Sequence, residues 1–147
     1  MDKWGPVLLT VFAGGMVAMQ APINSTLGRT VGTFAAASLS FAIGLVVLIF
    51  ITLVLSSGFG DLGDAAGLRW YYLTGGVLGA IYVTSVLVSV RSLGAGGVTA
   101  ATIAGQLTMS LLIDRSGVLG LDERALTPDR VVGIFLLAAG TFLIVRE

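Results

Sequence analysis

Five long apolar stretches occupy most of the chain, running roughly from Pro6 to Leu27, Phe34 to Ser56, Trp70 to Val90, Val98 to Ile113 and Val131 to Val145. At ~1.5 Å rise per residue, ~20 helical residues cross a hydrocarbon core of ~30 Å, and each stretch is near that length. The segments between them are too short to form a water-soluble domain. The expected architecture is all-α: a polytopic membrane protein with five transmembrane helices in one transmembrane domain, residues 1–147. The helices are expected at about 5–28, 34–56, 69–91, 97–114 and 128–145. A chain this small lines a pathway through lipid only by recruiting a second copy or a partner.

Composition agrees. The chain is 56% hydrophobic and 11% charged, against about 25% charged in an ordinary soluble domain. Net charge is zero and there is no basic run, which argues against a nucleic-acid partner. Cysteine and histidine are both absent. Disulfides, thiolate chemistry, most zinc sites and imidazole proton relays are thereby excluded, and neither metal nor cofactor is expected. The start, Met1 to Pro6, mimics the charged end of a signal peptide. Its apolar run continues past the usual ~7–15 residues, so it reads as a retained first helix.

Local signals place the helix ends. Pro6 suits a first turn, where its missing N–H costs nothing. Pro22, near the far end of the first helix, removes a backbone hydrogen bond and predicts a kink or unwinding around Met19 to Pro22. Gly28 to Thr33 reads as a turn, with Thr33 as N-cap. Gly58, Gly60, Gly63 and Gly67, beside Asp61 and Asp64, read as a soft linker. The third helix opens on the interfacial cluster Trp70-Tyr71-Tyr72. Leu93-Gly94-Ala95-Gly96-Gly97 is a tight turn that predicts an antiparallel pair of helices on either side. Thr127-Pro128-Asp129 supplies an N-cap, a proline at the first helical position and an acid in the first turn.

Two interfacial tryptophans, Trp4 and Trp70, fall on one side of the membrane if two spans separate them. That side collects Lys3, Arg69, Arg115, Arg124 and Arg130, while Arg29, Arg91 and Arg146 take the other. The excess places the N-terminus inside, and its small size is compatible with insertion in both directions.

Helix faces divide into packing and polar sets. On the fourth helix Gly97, Ala101, Ala104 and Thr108 share one side, where small side chains let backbones approach. Thr99, Thr102, Gln106 and Ser110 lie roughly opposite. On the third, Gly75 and Gly79 make a small-residue step, and Thr74, Leu78, Tyr82, Ser85 and Ser89 fall within about 80° of one another. The first helix has a small or polar stripe through Thr10, Ala13, Gly14, Val17, Gln20, Ala21 and Asn24. The second offers the packing step Ala36, Ser40, Gly44. Gly133 and Gly140 make the fifth a packing helix.

Three polar stripes, on the first, third and fourth helices, are able to converge on a wet cavity. Its expected lining is Gln20, Asn24, Tyr82, Ser85, Thr102, Gln106 and Ser110, with Pro22 as a hinge. An isolated Ser or Thr is also satisfied by the carbonyl one turn back. A carboxamide has four hydrogen-bonding positions and is not satisfied locally, which singles out Gln20, Asn24 and Gln106. Tyr82 reads either as a packing aromatic or as a substrate platform. Asp114 reads either as half of a helix-end ion pair with Arg115 or as a gate or coupling group. No Asp or Glu lies in the middle of a span, so proton-coupled export of cations through a buried carboxylate is not expected.

The segment Gln20 to Gly28 (QAPINSTLG), the stretch Gly105-Gln106-Leu107 through Ser110 to Asp114, and the closing Gly133 to Gly140 helix resemble the YdcZ-type family, a branch of the drug/metabolite transporter superfamily. The likeness covers essentially the whole chain. It implies an EamA-like half-transporter bundle that assembles as a homodimer, or as a heterodimer with a homologous five-helix chain, in an antiparallel inverted-repeat arrangement. The small multidrug-resistance branch has four helices and a glutamate in its first, and this chain departs from it on both points.

The expected function is a secondary transporter of the bacterial inner membrane, moving a small polar metabolite by alternating access. The rival is a non-transporting membrane subunit that stabilises a partner. Catalysis is not expected, since no nucleophile setting or paired carboxylate occurs in a span.

Overall fold

The computed structural model describes residues 4–55, 58–119 and 121–146. Lys3, used in the charge count, and Ser56, the expected end of the second stretch, lie outside them. The described residues form helices and no strand: α1 Trp4–Val31, α2 Thr33–Leu55, 3-10 helices Gly60–Gly67 and Trp70–Thr74, a helical run Gly75–Ser116, and a last helix Pro128–Val145. Backbone polar groups have no water to bond in lipid, and the helix answers this by bonding them within the segment.

The 42-residue run Gly75–Ser116 would be about 63 Å long if straight, twice the hydrocarbon thickness. It is two helices. Gly94 interrupts it with φ 67° and ψ 171°, a backbone region open essentially to glycine alone. We call the parts α3 (75–93) and α4 (95–116), and the helix Pro128–Val145 α5. Four helical runs are long and apolar enough to cross a membrane, and the Gly94 break divides the third into two, giving five candidate spans. The chain is an all-α polytopic membrane protein.

Several helix ends depart from expectation. α1 does not stop at residue 28; it continues to Val31, because no left-handed residue interrupts it before Gly32 at φ 91°. The Gly32 N–H donates to the Gly28 carbonyl at 3.1 Å, and its own carbonyl accepts from the Ala36 N–H at 3.0 Å. One residue thus ends α1 and caps α2, and Thr33 is the first helical residue rather than the cap. α1 is helical through Pro22 instead of unwinding, although proline still deprives the Ala18 carbonyl of its N–H donor. The glycine-rich linker is a 3-10 helix, Gly60–Gly67. α5 starts as expected at Pro128 after an extended Thr127, but the Thr127 hydroxyl makes no cap bond. Instead its carbonyl accepts from Arg130 and Val131.

The chain forms two compact units, one comprising Ala21–Val88 and the other the residues up to Gln20 together with those from Ser89 onward. Both divisions fall inside helices. In the Ala21–Val88 unit, Ala36, Ala37, Val83 and Leu87 make a buried cluster with Leu27 and Tyr82 packed against it. Ala21, Asn24, Ser25 and Gly28 are buried along α1 at i, i+3, i+4 and i+7, the spacing of one helix face. The Phe41 ring lies over Gly79, where an added Cβ would meet it at 3.5 Å.

In the other unit Gly97 lies against Val145, 3.6 Å from the position of an added Cβ, and Val98, Ala100 and Leu111 are buried. The Thr141 hydroxyl of α5 donates to the Ala100 carbonyl of α4 at 3.1 Å.

Candidate functional site

The three carboxamides end up in different surroundings. Asn24 is buried on α1, and its Nδ2 donates to Ser40 Oγ of α2 at 3.1 Å. Ser40 was read from sequence as a packing position; it is also Asn24's hydrogen-bond partner. Gln20 and Gln106 are exposed on the single chain, and no hydrogen bond to either carboxamide occurs among the described residues. A group with four hydrogen-bonding positions, exposed on a membrane-spanning helix, needs a further polar partner.

The hydroxyls behave differently. Ser85 donates to Ile81 O at 2.8 Å, and Ser110 donates to Gln106 O at 2.6 Å. Thr108 donates to Ala104 O at 2.8 Å. Each bond runs to the carbonyl four residues back on the same helix, so each donor proton is used locally and only lone pairs are left for a ligand. Thr102 is half-buried on α4. Tyr82 packs beside the Ala36, Ala37, Val83 and Leu87 cluster, so its ring forms the edge of a core.

Asp114 pairs with Arg130, Oδ2 to Nη1 at 3.3 Å, rather than with the adjacent Arg115. Neighbouring helical residues point about 100° apart, which disfavours the adjacent pair. The Asp114 carbonyl also accepts from the Arg124 N–H at 2.7 Å, and a Cβ at Gly117 (φ 58°) would crowd Glu123 at 3.3 Å. Both ties join the end of α4 to the loop before α5, with the ion pair reaching the first turn of α5. The two side chains are about one-third exposed, so the pair is solvated rather than sealed.

The small residues divide in the same way. Ala101 and Ala104 line a cavity of about 420 Å³ with Ala138, Thr141, Phe142 and Val145 of α5. Gly75, Gly133 and Gly140 have open space around an added Cβ, whereas Gly79 and Gly97 do not. Ser25 and Thr141 were not singled out from sequence, and Gly28 was read as the start of a turn rather than as a packing position. The spacing of Ala21, Asn24, Ser25 and Gly28 carried that signal; Thr141, alone on an apolar helix, carried none. Among the described residues no cluster of His, Cys, Asp or Glu is able to hold a metal ion.

With this geometry in view, comparison with known proteins is direct. The family model described as "Putative inner membrane exporter, YdcZ" matches residues 5–143, from the first turn of α1 almost to the end of α5. The chain belongs to the YdcZ family. Among curated proteins, the Escherichia coli (strain K12) "Inner membrane protein YdcZ" is 32% identical over 91 residues, 62% of this chain and 59% of that relative. The match thus spans less than two thirds of the relative's length. No solved structure matches.

Proposed function

We propose that this YdcZ-family chain is half of a secondary transporter in the bacterial inner membrane and carries a small polar metabolite out by alternating access. The observation that carries this reading is the exporter-family match across the whole helical region. The exposed carboxamides support the dimeric part. Gln106 on α4 and Gln20 on α1 gain hydrogen-bond partners if a second five-helix chain, homologous or identical, faces them across a wet cavity. An antiparallel pair fits an odd number of spans, since inverted repeats place the substrate near the midplane between the two copies.

In this reading Gln20, Thr102, Gln106 and Ser110 line the pathway, while Asn24, buried and bonded to Ser40, holds α1 to α2. Pro22 supplies a hinge, because the unpaired Ala18 carbonyl softens α1 there. The Asp114–Arg130 pair acts as a gate by holding the α4 end to the α5 start. The small residues Gly75, Gly79, Gly97, Ala101, Ala104, Gly133 and Gly140 let helices approach, within a copy or between copies.

The test is flux in proteoliposomes screened against small polar metabolites, with Gln106→Ala and Gln20→Ala as probes. Flux that falls at least tenfold in either variant, with the dimer still crosslinked, is the expected outcome. The rival, a non-transporting subunit, draws support from hydroxyls bonded within their own helices. It predicts stoichiometric co-purification with a different membrane protein and no flux in any variant.

A further inference from the structure

The segment joining α2 to α3 is longer than a simple turn requires, and it contains the 3-10 helices Gly60–Gly67 and Trp70–Thr74. α2 and α3 are in contact through Ala36, Ala37, Val83 and Leu87, and packed helices sit ~8–10 Å apart. The 3-10 helix Gly60–Gly67 alone would extend about 16 Å at ~2.0 Å per residue. What it presents depends on its winding. At three residues per turn, side chains three apart eclipse, so Phe59, Leu62, Ala65 and Leu68 form one row. The Leu62 N–H donates to Phe59 O at 3.1 Å and the Leu68 N–H to Ala65 O at 3.2 Å, tying members of that row together. The neighbouring rows hold Gly60, Gly63 and Ala66, and Asp64 with Gly67. Wound as an α-helix, the same four positions would drift about 60° per step and scatter over half the circumference. The repeat of three in the sequence makes a face only in the winding observed.

That face is uncovered. Phe59 is 48% exposed, Leu62 67% and Leu68 54%. Its far end runs into an interfacial cluster: Trp70 is 76% exposed, its ring 6.2 Å from Tyr71 in an edge-on contact, with Tyr72 4.6 Å from Tyr71. The Arg69 guanidinium donates to the Tyr71 hydroxyl at 3.3 Å. Trp and Tyr sit at headgroup level in membrane proteins, and the near end follows the lipid-facing apolar surface of α2. The apolar row therefore leads directly into an interfacial aromatic cluster at its far end.

We propose that the 3-10 helix Gly60–Gly67, with its flanking residues Phe59 and Leu68, lies along the bilayer surface, its Phe59, Leu62, Ala65 and Leu68 row sunk among acyl chains and its Asp64 row in water. It binds lipid as a short amphipathic helix does and fixes the depth at which α2 ends and α3 begins.

The chain has no cysteine, so single spin labels need no background mutations. Phe59→Cys, Leu62→Cys, Gly63→Cys, Asp64→Cys, Gly67→Cys and Leu68→Cys, each in the full chain in phosphatidylethanolamine/phosphatidylglycerol vesicles, are read for collision with oxygen and with a water-soluble nickel chelate. The expected result is a three-residue period, with oxygen-to-chelate ratios several-fold higher at 59, 62 and 68 than at 63, 64 and 67. Adding Leu62→Asp lowers the ratio at 59 and 68. Uniform chelate access would overturn the proposal by showing a solvated loop. Low collision with both reagents along the row would overturn it by showing that protein, a second copy or this chain, covers the face.

Discussion

The contact between α1 and α2 and the contact between α4 and α5 use similar residues and reach different results. In the first, Ala21, Asn24, Ser25 and Gly28 are buried along α1, and the Asn24 carboxamide donates to the Ser40 hydroxyl of α2. In the second, Ala101, Ala104 and Ala138 are equally small, yet a cavity of about 420 Å³ remains beside Phe142 and Val145. Helices close on each other when small residues meet small residues. Where an alanine face meets larger side chains, as beside Phe142 and Val145, an open groove is left along the contact. Without a hydrophobic drive between helices in lipid, that shape difference decides how tight a contact becomes.

Steric probes test the difference most strongly. Ala36 is fully buried, so Ala36→Leu is expected to cost ~1–3 kcal/mol from overpacking. Ala138→Leu, which grows into the cavity, should change stability by no more than ~0.5 kcal/mol. Unfolding in mixed detergent micelles measures both, and equal costs would erase the distinction.

Next in size is the buried polar pair. A double-mutant cycle of Asn24→Leu and Ser40→Ala should give a coupling of ~0.6–1.7 kcal/mol, the range of interhelical hydrogen bonds in membranes. A coupling near zero would mean the pair contributes no more than shape.

Thr141→Val keeps the shape and removes the bond to Ala100, and should cost about 0.6 kcal/mol by the same unfolding assay. An effect of similar size belongs to the ion pair. Asp114→Asn is expected to lose ~0–1 kcal/mol, with the loss shrinking as salt rises, because both partners are partly solvated. If Asp114→Asn proved costlier than Thr141→Val, the end of α4, and not its flank, would be what holds α5.

How legible this was in the sequence varies from element to element. The apolar stretches announced the helices, and Gly94 within a run of small residues announced the break, because both follow from local physics. The 3-10 helix at Gly60–Gly67 was hidden because glycine reads as softness, whereas here spacing by threes outweighs it. The end of α1 was misjudged because Gly28 is a packing residue and Gly32 the breaker, a distinction that depends on what lies alongside. One reading of Asp114 paired it with its neighbour Arg115, whereas its partner Arg130 is sixteen residues away across a loop. Asn24 and Gln106 look alike as carboxamides, but their fates diverge according to whether a Ser40 lies opposite. Polar partners between helices depend on rotation about the helix axis, which a stretch of apolar letters does not record.

The joint at Gly32 leaves the second helix no slack. With a single non-helical residue between α1 and α2, lengthening the link by one position would turn α2 through ~100° about its own axis. Ser40 would swing away from Asn24, and Ala36 and Ala37 would face lipid. This one-residue connection thus works as a gauge block: its length, as much as any side chain, dictates which edge of α2 looks inward.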